Sequence, residues 1–358
     1  MNKRLWIRGI AGNKSGYGKF TMKLVEWFVD AGYDVNFFAT NRYDRSDLVE
    51  VSDRVKEAFV NKDQQDDCVL LIHPPDQRSI PVQNRFNFWY TMWETTKAPD
   101  NVISNLNLAD EIIVPSSFNI SSFSDVDNKI NTGLIPLGYD SDVVRPIDFQ
   151  KNHNFTFLVA GTTASNKRKG IHKAVDAFVK AFPESEHNVR LIIKITPRCN
   201  LKDIFSDPSL FDRRIMVVRD DIPNAEMANL YGVCDCYVAP SMGEGFGMHS
   251  IEAMATGRPV IAPMFGGTTD FLSHLNSIPV EFDVVGSEKS EADFFYKKVG
   301  KMCDVSVDSL AAKMRWIKDA GKQMCEIIGL EGIKTAREYT YIKQGEKLES
   351  YLNRKGFF

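Results

Sequence analysis

The stretch that most limits what this chain can fold into is A-P-S-M-G-E-G-F-G-M-H-S-I-E-A-M-A-T-G-R-P-V-I-A, from Ala239 to Ala262. An apolar run at Tyr237 to Ala239 leads into a turn with glycines at 243, 245 and 247. Ser250 to Ala255 then favours helix, and Gly257 followed by Pro259 ends it before a second apolar run, so the stretch reads as strand, loop, helix and strand. Glycines let the backbone approach a ligand. The first amides of the helix, those of Phe246, Gly247 and Met248, point outward at the positive end of its dipole. Such a loop is an anion site by construction.

Glu244 and Glu252 flank it, one before the turn and the other ~6 Å up the helix at about 1.5 Å per residue. Neither carboxylate suits a phosphate, but each accepts paired hydroxyl donors. A diol at both ends of a diphosphate satisfies the whole arrangement, and a nucleotide sugar is such a molecule. An ordinary α/β unit, with glycines making a tight turn and glutamates in solvent, is the plainer reading of the same residues.

E-G-F-G-M-H-S-I-E-A-M-A-T-G-R-P-V-I resembles the E-x7-E signature of the family-4 (group 1) retaining glycosyltransferases of GT-B fold. The resemblance implies an α/β chain of two Rossmann-like domains whose parallel sheets face each other across a cleft, with a last helix crossing back to the first domain. It further implies that Glu252 holds the ribose hydroxyls, that Glu244 lies beside the donor sugar, and that the amides of Phe246, Gly247 and Met248 bind diphosphate and sugar oxygens.

A length of 358 residues agrees with two domains, since single cores stop growing at roughly 250 to 300 residues. We place an acceptor-side domain at 1–147, a nucleotide-sugar domain at 148–335 and the returning helix at 336–358. The formal charge of −3 gives no general pull toward nucleic acid or membrane. The six cysteines lack paired zinc spacing and predict reduced thiols. M-N-K-R-L-W-I-R-G-I has no long apolar segment or small-residue cleavage site, so a soluble cytoplasmic protein is expected.

Along the first domain, Leu5 to Ile10 predicts a buried strand, Phe20 to Ala31 an amphipathic helix and Asp34 to Ala39 the next strand. In the loop between the first two, Gly16 and Gly18 lack the third small residue of a dehydrogenase fingerprint. They are donor-facing candidates by the resemblance. A polar helix is expected from Ser46 to Phe59. Cys68 to Ile72 is a central strand that delivers His73 at its carboxyl end, where open α/β sheets bind ligands. His73 resembles the family's histidine near the donor sugar; a loop histidine bonded to nearby backbone is the alternative. F-N-F-W-Y-T-M-W, Phe86 to Trp93, predicts a strand buried on both faces. Y-T-M-W-E resembles an acceptor-side segment of one family branch, which makes Trp93 and Glu94 acceptor candidates. Ala109 to Ser117 and Ile135 to Asp140 resemble the last strand of that domain and its connection. Asp125 and Asp127 form a D-x-D on a polar loop, read as solvated rather than metal-bound.

In the second domain, Phe155 to Gly161 is the first strand and a helix runs from Gly170, with T-T-A-S-N-K-R-K-G between them. Arg168 and Lys169 match the family's R-K-G, whose basic side chain reaches the donor diphosphate; an exposed basic turn is the alternative. The family commonly has an Arg where Thr162 stands, so one phosphate contact is missing or comes from Arg168. Val189 to Ile195, Ile215 to Val218 and a helix at Pro223 to Tyr231 lead into the signature. After it, Gly267 and Thr268 stand at a second phosphate-facing turn of the family, or at a plain strand-end turn. Ser306 to Leu352 is helical and charged.

The expected activity is transfer of a hexose from a nucleoside diphosphate sugar, such as a UDP- or GDP-hexose, to a hydroxyl of a glycan, lipid-linked sugar, protein or modified nucleobase. No cofactor and no metal is expected, and the anomeric configuration is expected to be retained. His73, Glu244, Arg168 and Lys169 are the catalytic candidates, with His73 acting in part through its backbone carbonyl. The competing functions are a nucleotide-sugar epimerase or phosphorylase on the same fold, and a non-catalytic nucleotide-sugar binder. No lysine lies in the signature loop for a pyridoxal phosphate Schiff base.

Overall fold

The computed structural model describes residues 4–12, 15–41, 51–60, 68–75, 81–127, 131–149, 154–161, 167–205, 212–290, 296 and 298–357. Thr162 and the first part of the helix expected at 46–59 lie outside them. The chain divides into two compact units: Met1–Trp93, Ala98–Tyr139 and Tyr339–Phe358 form the first, Glu94–Lys97 and Asp140–Glu338 the second.

The first unit holds a six-stranded sheet of β1 (Arg4–Gly9), β2 (Asp34–Ala39), β3 (Cys68–Ile72), β4 (Phe86–Tyr90), β5 (Glu111–Val114) and β6 (Asn131–Leu134). Its order is β2-β1-β3-β4-β5-β6 and every pairing is parallel. The connections include α1 (Gly16–Asp30), α2 (Asp53–Glu57), α3 (Asp100–Leu106) and α4 (Ser117–Ser122). β3 and β4 read as unbroken apolar runs because a parallel sheet covered by helices is buried on both faces; Leu70, Ile72, Phe88 and Trp89 are all fully buried. The expected strand Phe86 to Trp93 stops at Tyr90, since the Met92 amide donates to the Tyr17 hydroxyl at 2.9 Å instead of joining a ladder.

The second unit holds β7 (Phe155–Gly161), α5 (Ile171–Ala181), β8 (Val189–Ile195), β9 (Ile215–Arg219), α6 (Asn224–Val233), β10 (Cys236–Val238), α7 (Met248–Ala255), β11 (Val260–Pro263) and β12 (Ile278–Val280). Its parallel sheet runs β12-β11-β10-β7-β8-β9. An antiparallel hairpin, β13 (Phe282–Gly286) with β14 (Lys301–Val305), follows, and then α8 (Val307–Ala336), which breaks at Gly321. β7 lies between β8 and β10, so the chain leaves β7 in one direction and returns on its other side at β10. In open α/β sheets the ends of such a strand pair form the binding crevice. They carry Lys167 to Gly170 and the loop before α7.

The unit boundaries differ from the expected 147/148 and 335/336. Asp140 to Asp148 packs with the second unit because Arg258, fully buried, donates to the carbonyls of Ile147, Asp148, Tyr231 and Gly232 at 2.8 to 3.3 Å. Glu94 to Lys97 joins it through two hydrogen bonds: the Thr96 amide donates to the Lys301 carbonyl and the Lys301 amide to the Thr96 hydroxyl.

The chain returns to the first unit as α9 (Tyr341–Arg354), which packs on α1. Glu111, 4% exposed, accepts from the Tyr351 hydroxyl at 2.5 Å and from Lys355 Nζ at 2.6 Å. Among the described residues no helix is long and apolar enough to cross a membrane.

A Cβ on Gly345 of α9 would lie 2.3 Å from Cδ2 of Trp27 on α1. Gly345→Ala is therefore expected to destabilise the protein by about 1 to 3 kcal/mol, the usual range for overpacking. A denaturation midpoint equal to that of the wild type would show that the two helices separate freely.

Candidate functional site

The loop between β10 and α7 is shaped by close packing within its own unit. A Cβ on Gly243 would lie 2.2 Å from the Glu94 carbonyl oxygen. Gly247, the N-cap of α7, has φ 97°, and a Cβ there would lie 2.5 Å from Thr268 Cγ2. Both positions exclude a side chain before any ligand is considered. The loop is tied to its neighbours as well. The Met242 amide and the Ser241 hydroxyl donate to the Arg168 carbonyl, at 2.7 and 3.3 Å. The Gly267 amide donates to the Glu244 carbonyl at 2.7 Å. Beyond this loop α7 begins at Met248, and the first amides of a helix have no acceptor within it.

Glu244 lies between the two expected cations. Lys169 Nζ is 2.6 Å from its Oε1, and Arg168 Nη1 is 3.6 Å from its Oε2. Burial pushes the Glu244 carboxyl up, but Lys169 and Arg168 outweigh it and hold the value down to about 2. Arg168 is 7% exposed. Its Nη1 donates to the Gly243 carbonyl at 2.5 Å, while its Nε is buried with no hydrogen-bond partner among the described residues. Burial works against the Arg168 charge, yet Tyr296, Glu94 and Glu244 raise its pKa above the ordinary range.

Glu94, expected on the acceptor side of the first domain, belongs instead to this cluster. Its Oε1 is 3.9 Å from Arg168 Nη2 and its Oε2 accepts from the Tyr296 hydroxyl at 3.2 Å. Burial raises its pKa, with Arg168 opposing and Glu244 adding to the rise. Trp93, the other acceptor candidate, is 1% exposed in the first unit and packs as a core residue. Gly267, expected to face a phosphate, spends its amide on Glu244; Thr268 is 6% exposed and donates to the Phe265 carbonyl at 3.1 Å. Phe246 is 1% exposed and its ring lies 5.3 Å from that of Phe271.

Glu252 stands on the next turn of α7, 6% exposed. Its Oε2 accepts from the Tyr231 hydroxyl at 2.8 Å and lies 3.3 Å from His249 Nδ1. Neither Tyr231 nor His249 was expected from the sequence. His249 sits three positions before Glu252, on the same helical face, which was a readable signal. Tyr231 comes from α6 and is met only in the fold.

In the first unit, His73 follows β3. Its Nδ1 lies 3.0 Å from the Pro74 carbonyl, so Nδ1 carries a proton and donates to that oxygen. Its own carbonyl accepts from the Trp89 indole at 2.9 Å. Gly18 is needed where the Gly12 carbonyl oxygen would lie 2.0 Å from a Cβ, and its amide donates to Ser15 Oγ at 3.0 Å. Around Gly16, by contrast, a Cβ meets nothing within 4 Å. Asp127 takes Asn107 Oδ1 on its amide, and among the described residues no group of three His, Cys, Asp or Glu side chains is placed to hold a metal.

Residues 154–285 match the family of glycosyl transferases group 1. The chain is 24% identical over 133 residues to an MMP α-(1→4)-mannosyltransferase of Mycolicibacterium hassiacum, covering 37% of this chain and 31% of that protein. The matched stretches span about a third of the length of the curated relatives. The fold is similar to that of sucrose-phosphate synthase from Thermosynechococcus elongatus, with a TM-score of 0.70 and 16% identity over 99% of both chains. It is also similar to the HepE protein of Anabaena in complex with UDP and glucose, with a TM-score of 0.65 and 13% identity over 98% of this chain and 100% of that one. These likenesses establish the GT-B fold that the signature implied.

Because the Glu244 carboxyl is lowered from its ordinary 4.5 to about 2, the stability it contributes is complete above pH about 4.5 and is lost as the pH falls toward 2. The wild type is expected to lose more stability over that interval than Glu244→Gln, read by chemical denaturation at a series of pH values. Parallel losses would show that the carboxylate is not held by the two cations.

Proposed function

We propose that this chain, whose residues 154–285 form a group 1 glycosyltransferase domain within a GT-B fold, transfers a hexose from a nucleoside diphosphate sugar to a hydroxyl acceptor. The observation that carries this reading is the gathering of Arg168, Lys169 and Glu244 against the loop that opens α7, with Glu252 on the next turn. A diphosphate at the helix N-terminus takes the first-turn amides and the two cations, and Glu252 accepts from the ribose diol. The UDP and glucose held by the Anabaena protein make UDP-hexose the first donor to try, with GDP-hexose second. The buried thiols of Cys199, Cys234, Cys236, Cys303 and Cys325, in no disulfide, suit a reducing cytoplasm.

Transfer then proceeds with retention. Inversion needs a side-chain base on the face opposite the leaving group, and double displacement needs a carboxylate nucleophile there. By this reading Glu252 is committed to the ribose hydroxyls and Glu244 is engaged by Lys169 and Arg168, so neither is offered as that group. The acceptor attacks from the side of the departing diphosphate, whose oxygen takes the proton while the cations and helix amides stabilise its charge.

Incubation with a panel of UDP- and GDP-hexoses is expected to release nucleoside diphosphate slowly without acceptor, which a binder does not do. Proton NMR of freshly formed product is expected to show the anomeric coupling of the donor; an inverted coupling sinks the retention mechanism.

Because Arg168 and Lys169 supply the positive charge that a metal would otherwise bring to the diphosphate, activity is expected to survive EDTA. Loss with EDTA and recovery on adding manganese or magnesium would assign the charge to a bound metal instead.

A further inference from the structure

The carboxylate of Glu252 is held from two directions. From α6, the Tyr231 hydroxyl lies 2.8 Å from Oε2; from α7 itself, His249 Nδ1 lies 3.3 Å from the same oxygen and 2.9 Å from the Tyr231 hydroxyl. The three polar groups close a triangle, and its protons can be assigned. A carboxylate only accepts, so the single Tyr231 hydroxyl proton goes to Glu252, and the tyrosine oxygen accepts from His249 Nδ1–H. The imidazole therefore carries a proton on Nδ1.

Tyr231 is in turn fixed at both ends. It is fully buried, its ring meets that of Tyr237 edge-on at 5.8 Å, and its carbonyl accepts from Arg258 Nε at 2.9 Å. Burial, with Glu252 next in weight, keeps the phenol protonated by raising its pKa well above the usual range. A buried carboxylate needs hydrogen-bond donors wherever it lies, but it does not need its rotation fixed. One that must meet two vicinal hydroxyls does, because a bidentate contact is lost when the carboxylate plane turns.

We propose that Tyr231 and His249 are positioning residues that fix the rotation of Glu252 for the ribose diol of the donor. This rests on the reading of Glu252 given above. It also assigns to α6, which the signature does not include, a part in selecting ribonucleotides.

Dideoxynucleotides separate positioning from packing, because a 2′,3′-dideoxy ligand offers Glu252 no diol. The probe is UDP or GDP, whichever binds the wild type more tightly, compared by calorimetry with its 2′,3′-dideoxy form. The wild type and Glu252→Ala establish the size of the diol contact, with the ribonucleotide preferred by the wild type and the preference abolished in the variant. Tyr231→Phe is expected to weaken the ribonucleotide about 2- to 12-fold, the range of one hydrogen bond, and to leave the dideoxy form unchanged. His249→Gln, at a side chain one-third exposed, is expected to shift affinity in the same direction and serves if Tyr231→Phe does not fold. In the Glu252→Ala background neither substitution should have a further effect.

Equal weakening of both ligands by Tyr231→Phe, or no weakening of either, overturns the positioning role and leaves Glu252 in place. A wild type that does not distinguish the two ligands, or that binds neither nucleotide, overturns the reading of Glu252 and the positioning role together.

Discussion

A half-buried carboxylate held between Lys169 and the buried Arg168 organises the second unit. Ionised groups are costly to remove from water unless they are paired and hydrogen-bonded, and Glu244 meets that condition with Lys169 and Arg168. The pairing draws in the surrounding backbone. Arg168 spends its guanidinium on the Gly243 carbonyl and its own carbonyl on Met242 and Ser241, while Glu244 gives its carbonyl to Gly267. Three segments far apart in sequence are locked into one shape by these few bonds. The loop before α7 thus has its form without a ligand, which lowers the ordering cost of binding one.

The sheet explains why these segments meet. β7 and β10 are neighbours although α5, β8, β9 and α6 separate them in the chain, because the connections from β7 go to one side and those from β10 to the other. Lys169 follows the end of β7 and Glu244 follows the end of β10, so the cation and the carboxylate arrive at adjacent strand ends. The hydrophobic residues inside the sheet, such as Phe157, Val159, Leu191, Ile193 and Val238, carry no chemistry. Their burial brings the two loops together to within a hydrogen bond.

How much of this was legible in the sequence follows the range of each interaction. Strands at Asp34–Ala39, Phe155–Gly161 and Val189–Ile195 are as read, because a run of apolar residues is a local signal. The loop-to-helix turn at Gly247 was readable for the same reason. What escaped depends on partners distant in sequence. Tyr231 looks like any apolar residue near a helix end until the fold places Glu252 beside it. Glu94 follows a strand of the first unit and was read with it, yet its carboxylate lies against Arg168. The hairpin of β13 and β14 was missed because residues such as Asp283 and Val284 are exposed on it, which leaves no clean alternation.

The same distinction accounts for a fold similar over 99% of two chains that are only 16% identical. An apolar strand buried on both faces accepts many substitutions of similar volume, since burial is non-directional and repacking usually costs less than about 1.5 kcal/mol. No such latitude exists at Gly243, where the Glu94 carbonyl oxygen would stand 2.2 Å from a Cβ, or at Gly247, where φ is 97°. A side chain at either position must move backbone, and with it the ion-paired loop. Sequence information therefore concentrates where backbone meets backbone around the charged cluster, and thins out in the sheets that hold it. That is why a short glycine-rich stretch constrains the reading of this chain more tightly than the hydrophobic residues of its cores.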